Sequence, residues 1–185
     1  MKIRPLTFLC VSLVLSGGPT LAEPNLQWQV YGDLGTAYAT NPTKVADDLA
    51  EDDFAVRARI GAALNQKTAT TDLDFDYRYT HLTWVDDSFG DRDTLEGVGS
   101  FKWQPQDYFS FFINNRRRDL TLNGRTPDTP DNRSVRGVTE LGALFTGRLG
   151  RVDTINLAPV YRFVRYNSGE GVDSDRPGIV AFWEH

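Results

Sequence analysis

Cysteine and methionine are almost absent from this chain of 185 residues: each occurs once, as Cys10 and as the initiator Met1. Cys10 lies in an apolar stretch that we interpret as part of a cleaved signal peptide, so the exported protein would have no disulfide and no thiol chemistry. Histidine occurs only twice, at His81 and His185. The ligands of a zinc or haem site are therefore missing, and we predict no metal site and no cofactor.

Long apolar runs are also missing from the chain. The first residues carry Lys2 and Arg4, then the short apolar run Leu6–Leu15, then the small-x-small sequence Thr20–Ala22. This order is typical of a secretory signal peptide, whose apolar run is too short to cross a bilayer as a helix. We predict a signal peptide over residues 1–22 and no transmembrane helix after it.

Residues 23–185 have a length that fits one domain, and no Pro/Ser-rich linker divides them. Loss of Lys2 and Arg4 takes the formal net charge from −5 for the whole chain to about −7. A domain with this acidic balance is a poor partner for nucleic acid, so the sequence predicts no nucleic-acid binding.

Alternation of apolar and polar residues, the pattern of a β-strand with two different faces, runs through most of this domain. No segment has a convincing helical period, so we predict an all-β fold. The eight predicted strands are Leu26–Ala39, Phe54–Leu64, Leu73–Trp84, Thr94–Trp103, Tyr108–Leu120, Val135–Phe145, Thr154–Tyr166 and a last strand that begins near Gly178.

The connections between these strands alternate in length. Tight turns follow the second, fourth and sixth strands, whereas longer acidic or polar loops follow the first, third, fifth and seventh. Outer-membrane barrels have this order, with short periplasmic turns and long external loops. We predict an antiparallel up-and-down transmembrane β-barrel, with eight strands in this chain; a periplasmic barrel or sandwich with the same alternation is the alternative.

The two predicted faces differ in chemistry. Aromatic residues on the apolar face gather near the strand ends, as in the interfacial girdles of outer-membrane barrels. The predicted girdle is Trp28, Tyr38, Phe54, Tyr79, Trp103, Phe109, Phe145, Tyr161 and Phe163. The other face carries charges of both signs and is predicted to line the lumen. The predicted lumen-facing charges are Arg57, Arg59, Asp72, Asp74, Asp76, Arg78, Glu96, Arg116, Arg118, Glu140 and Arg162.

These inward charges have three interpretations. In a narrow barrel they would form an ion-pair network that plugs the interior. In a wider barrel they would line a watery channel and select solutes. In the third interpretation they only keep the interior hydrated. Arg117, between Arg116 and Arg118, is predicted to point outward, where it either pairs with lipopolysaccharide phosphate or snorkels to the membrane interface.

Two other features of the sequence are candidate sites. The acidic loop residues around Asp47, Glu51 and Asp86 either share divalent cations with surface glycolipid or are simply solvated, since none has the spacing of an EF-hand. His81 is predicted near the outer end of the apolar face, where a lipid hydrolase would need a nucleophile such as Ser88 and an orienting acid. No spacing selects that acid, so we predict no catalytic residues and no enzyme.

Four stretches of the sequence carry a family resemblance: "ATNPTK", "EDDFAVRARIGAAL", "LDFDYRYTHLTWVDDSFGDRDT" and "PDNRSVRGVTELGALFTGRLGRVDTINLAPVYRFVRYNS". They resemble a family of outer-membrane β-barrel porins associated with exopolysaccharide and exosortase (PEP-CTERM) gene systems. The resemblance implies a role in surface polysaccharide secretion or assembly, and it supplies no catalytic residues. Barrels of that family are about twice as long, and this chain stops at "IVAFWEH". We therefore expect an N-terminal part of a larger barrel, or a complete barrel of eight strands.

The functional prediction follows from these features together. We expect a porin-like protein of the outer membrane of a Gram-negative bacterium, through whose charged lumen surface polysaccharide or small polar solutes pass. Expected partners are outer-membrane lipid, lipopolysaccharide, polysaccharide and the barrel-assembly machinery. A non-conducting structural or adhesive barrel is the first alternative, and a lipid hydrolase at the membrane face is the second. The sequence leaves the oligomeric state open.

Overall fold

The computed structural model describes residues 9–17, 26–40, 52–86, 90–123, 132–167 and 171–185. In this part of the chain the regular structure is one antiparallel sheet of nine strands, whose spatial order is the order of the sequence. The strands are β1 (Leu9–Gly17), β2 (Leu26–Thr40), β3 (Asp52–Lys67), β4 (Thr71–Trp84), β5 (Arg92–Gln106), β6 (Phe109–Thr121), β7 (Arg133–Leu149), β8 (Asp153–Tyr166) and β9 (Ser174–Glu184). The described residues contain no helix long and apolar enough to cross a membrane.

The predicted all-β, up-and-down, antiparallel architecture is confirmed, since strands β2–β9 correspond to the eight predicted strands. The observed strands extend past the predicted ends. β9 begins at Ser174 because its first half pairs with β8, with Arg176 opposite Arg162. β7 continues to Leu149, opposite Asp153. Backbone pairing carries a strand on to its turn, beyond the last apolar residue that marks it in the sequence.

β1 is a strand that the sequence analysis did not predict, and it lies inside the predicted signal peptide. It pairs with β2 from Leu9 opposite Thr36 to Gly17 opposite Trp28. The interpretation of residues 1–22 as a signal peptide stays a prediction. Cleavage after Ala22 would remove β1 and leave the edge of β2 free.

The sheet is curved but not closed. Asp72 of β4 and Phe182 of β9 line the same cleft, so strands far apart in the sheet face each other across its concave side. The two outer strands of the sheet are β1 and β9, and among the described residues they do not pair with each other. The closed barrel predicted from the sequence is therefore present as an open, curved sheet.

The connections are sorted between the two ends of the strands, as predicted. Residues 68–70, 107–108 and 150–152 form tight turns at one end, which we call the short-turn end. We call the other end of the strands the long-loop end, because the sequence between consecutive strands is longer there; residues 41–51, 87–89, 124–131 and 168–170 of that sequence lie outside the described residues. Gly150 has a φ of 78°, a conformation that glycine adopts without steric cost, and it allows the tight turn between β7 and β8.

The described residues contain very little apolar core. The buried apolar side chains are small or medium in size: Ala55, Val135, Ala158 and Val164. Large apolar residues are instead exposed on the surface of the sheet, as at Ile60, which is 58% exposed. Packing between layers therefore contributes little, and the fold depends on the pairing of each strand with its neighbours.

Tyrosine side chains cover glycines on neighbouring strands and add lateral contact. The ring of Tyr31 lies so close to Gly61 that an added Cβ would be 2.2 Å from its Cζ atom. The hydroxyl of Tyr31 then reaches over β3 and donates a 2.8 Å hydrogen bond to Asp76. On the other face Tyr77 lies over Gly97 and Gly99 in the same way. The missing side chain of each glycine makes room for a ring that ties three strands together.

Candidate functional site: the charged concave face

The strand registers separate the side chains into two sets. We call the surface inside the curve, which contains Arg57, Asp76 and Glu96, the concave face, and the opposite surface the convex face. Every charged residue predicted to face the lumen lies on the concave face: Arg57, Arg59, Asp72, Asp74, Asp76, Arg78, Glu96, Arg116, Arg118, Glu140 and Arg162. The alternation in the sequence and the observed strand registers therefore assign these residues to the same face. That this face lines a lumen stays a prediction.

Asp33 joins two of these arginines. Its carboxylate lies 3.2 Å from Nη2 of Arg57 and 3.3 Å from Nε of Arg59. The register places Asp33 opposite Arg59 and Gly35 opposite Arg57, and the absence of a side chain at Gly35 leaves room for the guanidinium of Arg57. Asp33 is not among the predicted lumen-facing charges, although its position in the alternation of the first predicted strand puts it on the polar face.

A second carboxylate, Asp119, also holds two arginines. It lies 2.5 Å from Nη2 of Arg92 and 2.9 Å from Nε of Arg133. The pairing of β5 with β6 ends where Gly97 lies opposite Arg117, so the two strands have no backbone ladder beyond this point. The Asp119 side chain thus bridges β5 and β7 where the ladder has stopped, and the Asp119 amide donates a 3.1 Å hydrogen bond to Glu96.

Two ion pairs lie directly across neighbouring strands. Arg78 is opposite Glu96, with 3.3 Å between Nη2 and Oε2. Glu140 is opposite Arg162, with 2.9 Å between Oε2 and Nε. The sequence placed all four residues on one face but did not predict these partners. Because the pairs are solvent-exposed, each contributes on the order of 0.2–1 kcal/mol to stability.

The aspartates of β4 form a separate row toward the short-turn end. Asp74 accepts a 3.1 Å hydrogen bond from Asn65, and Asp76 accepts one from Tyr31. Asp72 lies 3.6 Å from the ammonium of Lys67. Most arginines of the concave face lie at mid-strand or nearer the long-loop end: Arg57, Arg59, Arg78, Arg92, Arg116, Arg118, Arg136, Arg162 and Arg176. Arg148 lies on the same face near the short-turn end. The concave face is therefore more positive toward the long-loop end than toward the short-turn end.

Open clefts run along this face between the charged side chains. One of about 350 Å³ is lined by Asp74, Asn114, Arg116 and Arg162, among others. A second of about 470 Å³ has Tyr31 and Arg118 in its wall. Arginine, carboxylate and amide groups together can bind hydrated ions or sugar hydroxyls.

The convex face carries the whole predicted aromatic girdle, with each ring toward an end of its strand: Trp28, Tyr38, Phe54, Tyr79, Trp103, Phe109, Phe145, Tyr161 and Phe163. Phe109 packs on Phe145, with ring centroids 5.2 Å apart, across the β6–β7 pair. Aliphatic residues such as Leu34 and Ile60 are exposed between the ends. An exposed apolar surface of this extent indicates contact with another apolar phase or partner.

Arg117 lies on the convex face, as predicted, and its Nε donates a 3.2 Å hydrogen bond to the carbonyl of Leu95. The contact with lipopolysaccharide phosphate stays a prediction. Among the acidic loop residues, Asp53 is only 1% exposed and accepts hydrogen bonds from the amides of Phe54 and Asp86. Asp53 therefore fixes the start of β3. The other acidic residues of the first long loop, from Asp47 to Glu51, lie outside the described residues.

His81 lies on the convex face with an acidic partner that the sequence analysis missed. Its Nδ1 is 2.8 Å from Oδ1 of Asp93, which also accepts a 2.5 Å hydrogen bond from the hydroxyl of Tyr79. Ser88, the predicted nucleophile, lies outside the described residues. Within the described ranges His81 has no hydrogen bond to a hydroxyl group, and no group of three or more His, Cys, Asp or Glu residues is arranged to hold a metal ion.

Comparison of the chain with protein-family models, with curated proteins and with solved structures gives no match.

Proposed function

We propose that the protein is a porin-like β-barrel of a bacterial outer membrane, through which surface polysaccharide or small polar solutes pass along a charged lumen. Export would use residues 1–22 as the signal peptide, and insertion would use the barrel-assembly machinery. One observation carries this proposal: most of the exposed large apolar side chains of the described sheet lie on its convex face, and most of its charged side chains lie on its concave face. A soluble barrel has the opposite distribution.

The convex face supports contact with lipid. Its aromatic rings lie at both strand ends, with Trp28 and Trp103 toward the short-turn end and Tyr38 and Phe54 toward the long-loop end. Tryptophan and tyrosine favour the two membrane interfaces, and aliphatic residues favour the hydrocarbon between them. The sorting of short and long connections agrees with a periplasmic and an external side.

The open edge of the sheet sets a condition on this proposal. Unpaired strand groups are too costly in lipid, so β9 needs a strand partner in a membrane. β9 is well exposed, with Ile179 73% and Trp183 65% accessible. Pairing of β9 with β2 after cleavage of β1 would give eight strands with a filled interior. Pairing with further strands would give a wider barrel with a channel.

Conductance in a planar bilayer tests the porin proposal. Native protein extracted from outer membranes is added to a bilayer and stepwise currents are recorded, and its intact mass is measured in parallel. We expect discrete conductance steps. A mass near twice the 20.8 kDa of this chain would indicate the wider barrel, and a mass near or slightly below 20.8 kDa would indicate the barrel of eight strands. Recovery of the protein only in the soluble periplasmic fraction would refute the membrane location, and inserted protein without conductance would refute the channel.

The ion pairs support one alternative, a non-conducting structural or adhesive barrel. Asp33, Asp119 and Glu140 each hold one or two arginines, and in a narrow barrel such links would fill the interior. The double variant Arg57→Ala, Arg59→Ala separates the two functions. In a channel it shifts ion selectivity toward cations, whereas in a plugged barrel it lowers stability and leaves conductance at zero.

The Asp93–His81 pair supports a lipid hydrolase as a further alternative, because a carboxylate on Nδ1 is the usual means of orienting a catalytic histidine. The test is phospholipid hydrolysis by the detergent-solubilised protein and by its His81→Ala variant. Hydrolysis that is lost in the variant would establish an enzyme. Equal activity in both would exclude a role for His81.

A further inference from the structure

Arg118 and Arg136 lie directly opposite each other on β6 and β7. Arg116 lies two residues from Arg118 on the same face, opposite Val138. Like charges directly opposite each other in a sheet repel, and such pairs are unfavourable unless another group lies between them. The register therefore places the backbone of three arginines close together on the concave face.

These three arginines lack the partners that others on the face have. Arg57, Arg59, Arg78, Arg92 and Arg162 each form an ion pair with a carboxylate. Within the described part of the chain, Arg116, Arg118 and Arg136 form neither an ion pair nor a side-chain hydrogen bond. Nε of Arg136 is also inaccessible to solvent and has no acceptor. Such a donor is available to an anion, although Nε of the ion-paired Arg57 is also buried without an acceptor.

There is space for an anion beside the cluster. Arg118 lines the cleft of about 470 Å³ together with Asp76 and Glu96, and Arg116 lines the neighbouring cleft of about 350 Å³ together with Glu140 and Arg162. Arg136 lies beside these clefts, opposite Arg118, and lines neither of them. Volumes of this order are typical of small-molecule sites. Asn114 and Ser100 lie beside Arg116 in the second cleft and offer amide and hydroxyl groups to the rest of a ligand.

We propose that Arg116, Arg118 and Arg136 form a binding site for an oxyanion, the carboxylate or phosphate group of a solute on the concave face. The planar guanidinium binds such groups through two parallel hydrogen bonds, and an anion between Arg118 and Arg136 removes their repulsion. This inference rests on the proposed function, in which solutes pass along the concave face, and it adds that these solutes are acidic.

Binding is measured by calorimetry on the whole chain in detergent micelles, with inorganic phosphate, galacturonate oligomers and neutral glucose oligomers as ligands. We expect phosphate and galacturonate to bind and the glucose oligomers not to bind. Arg118→Gln and Arg136→Gln should each weaken anion binding by about tenfold, the loss of one charge-assisted pair. Arg148→Gln, which removes the same charge near the short-turn end of β7, should leave binding unchanged.

Thermal unfolding gives a second readout, which also shows whether the variants fold. Without an anion, Arg118→Gln should unfold at the same temperature as the wild type or higher, because a repulsion has been removed. At the same concentration, phosphate should raise the unfolding temperature of the wild type and of Arg148→Gln by similar amounts, and that of Arg118→Gln by less. Anion binding that is absent from the wild type, or equal in all variants, would overturn the proposal.

Two comparisons complete the test. The first identifies the chemical source of the anion, and the second tests the anion site separately from the porin proposal. Tighter binding of galacturonate oligomers than of phosphate indicates an acidic glycan, and the reverse order indicates phosphate or a phosphorylated solute. Anion binding without conductance supports the site and refutes the channel. Conductance whose anion preference is the same in wild type and Arg118→Gln supports the channel and refutes the site.

Discussion

Single residues on the concave face differ in how strongly the sheet depends on them. Asp33 has a side chain only 14% exposed and joins two arginines on the neighbouring strand. Asp72 is half exposed and holds one lysine. Burial makes an unpaired charge expensive, whereas an exposed pair is screened by water. The two aspartates therefore form a matched test of the concave network.

Asp33→Asn should destabilise the protein by about 1–3 kcal/mol, because Arg57 and Arg59 would remain close together without an anion. Asp72→Asn, the control, should lower the free energy of unfolding by less than about 1 kcal/mol. Both values come from denaturant unfolding in detergent micelles. Equal effects of the two substitutions would show that the links through Asp33 do not stabilise the sheet.

The contact between Tyr31 and Gly61 gives a second prediction at this scale. A Cβ at residue 61 would displace the tyrosine ring and break its hydrogen bond to Asp76. Gly61→Ala should cost about 1–3 kcal/mol. With Tyr31→Ala already present, the same change should cost much less, since no ring is left to displace. Additive costs in the double-mutant cycle would contradict this explanation.

The strands β5 and β6 have an unusual end. Their ladder stops at Gly97 and Arg117, and Asp119 with its two arginines bridges the region beyond. At this end the contact between β5 and β6 depends on the side chain of Asp119, whereas the other strand pairs are held there by backbone hydrogen bonds. Local opening is expected where few backbone bonds hold a strand.

Asp119→Asn should loosen this end of β5 and β6 without unfolding the sheet. We expect faster amide hydrogen exchange at residues 92–96 and 118–121, and unchanged exchange at residues 98–103, where the register of β5 with β6 is continuous. Asp74→Asn, which removes one carboxylate charge near the short-turn end of β4, is the control. Uniformly faster exchange over both ends would mean that Asp119 supports the whole sheet.

For the whole molecule, the decisive property is the solvent that each face contacts. Leu34 is exposed on the convex face, and Ser100 is exposed on the concave face. In the proposed barrel the first side chain contacts lipid and the second contacts water. In a soluble sheet both contact water.

Leu34→Arg should make the free energy of folding into liposomes less favourable by about 2–4 kcal/mol, the cost of placing arginine on the lipid face near the bilayer centre. Ser100→Arg, the same new charge on the other face, should have a much smaller effect. The measurement is denaturant-dependent folding into lipid vesicles, followed by tryptophan fluorescence. Equal effects of the two substitutions would contradict the assignment of lipid to the convex face.

The sequence by itself determined where the strands run and which side chains share a face. Successive side chains of any strand point to opposite sides, so the row Asp72, Asp74, Asp76 could be assigned to one face without knowing its neighbours. The same rule placed the aromatic residues of the predicted girdle on the opposite face. The lengths of the segments between strands predicted which end of the sheet has the tight turns. These properties are local, since a short stretch of chain carries all the information.

Only the tertiary structure decided the partners, the curvature and the open edge. Asp33 and Asp119 were missed because their roles depend on which residues of the next strand lie opposite, and register is set by pairing between distant segments. Arg118 and Arg136 were known as single charges, and their juxtaposition appears only once β6 and β7 are aligned. Alternation shows on which face of the sheet a side chain lies. A site is formed by residues that are far apart in the chain and become neighbours only when the strands pair.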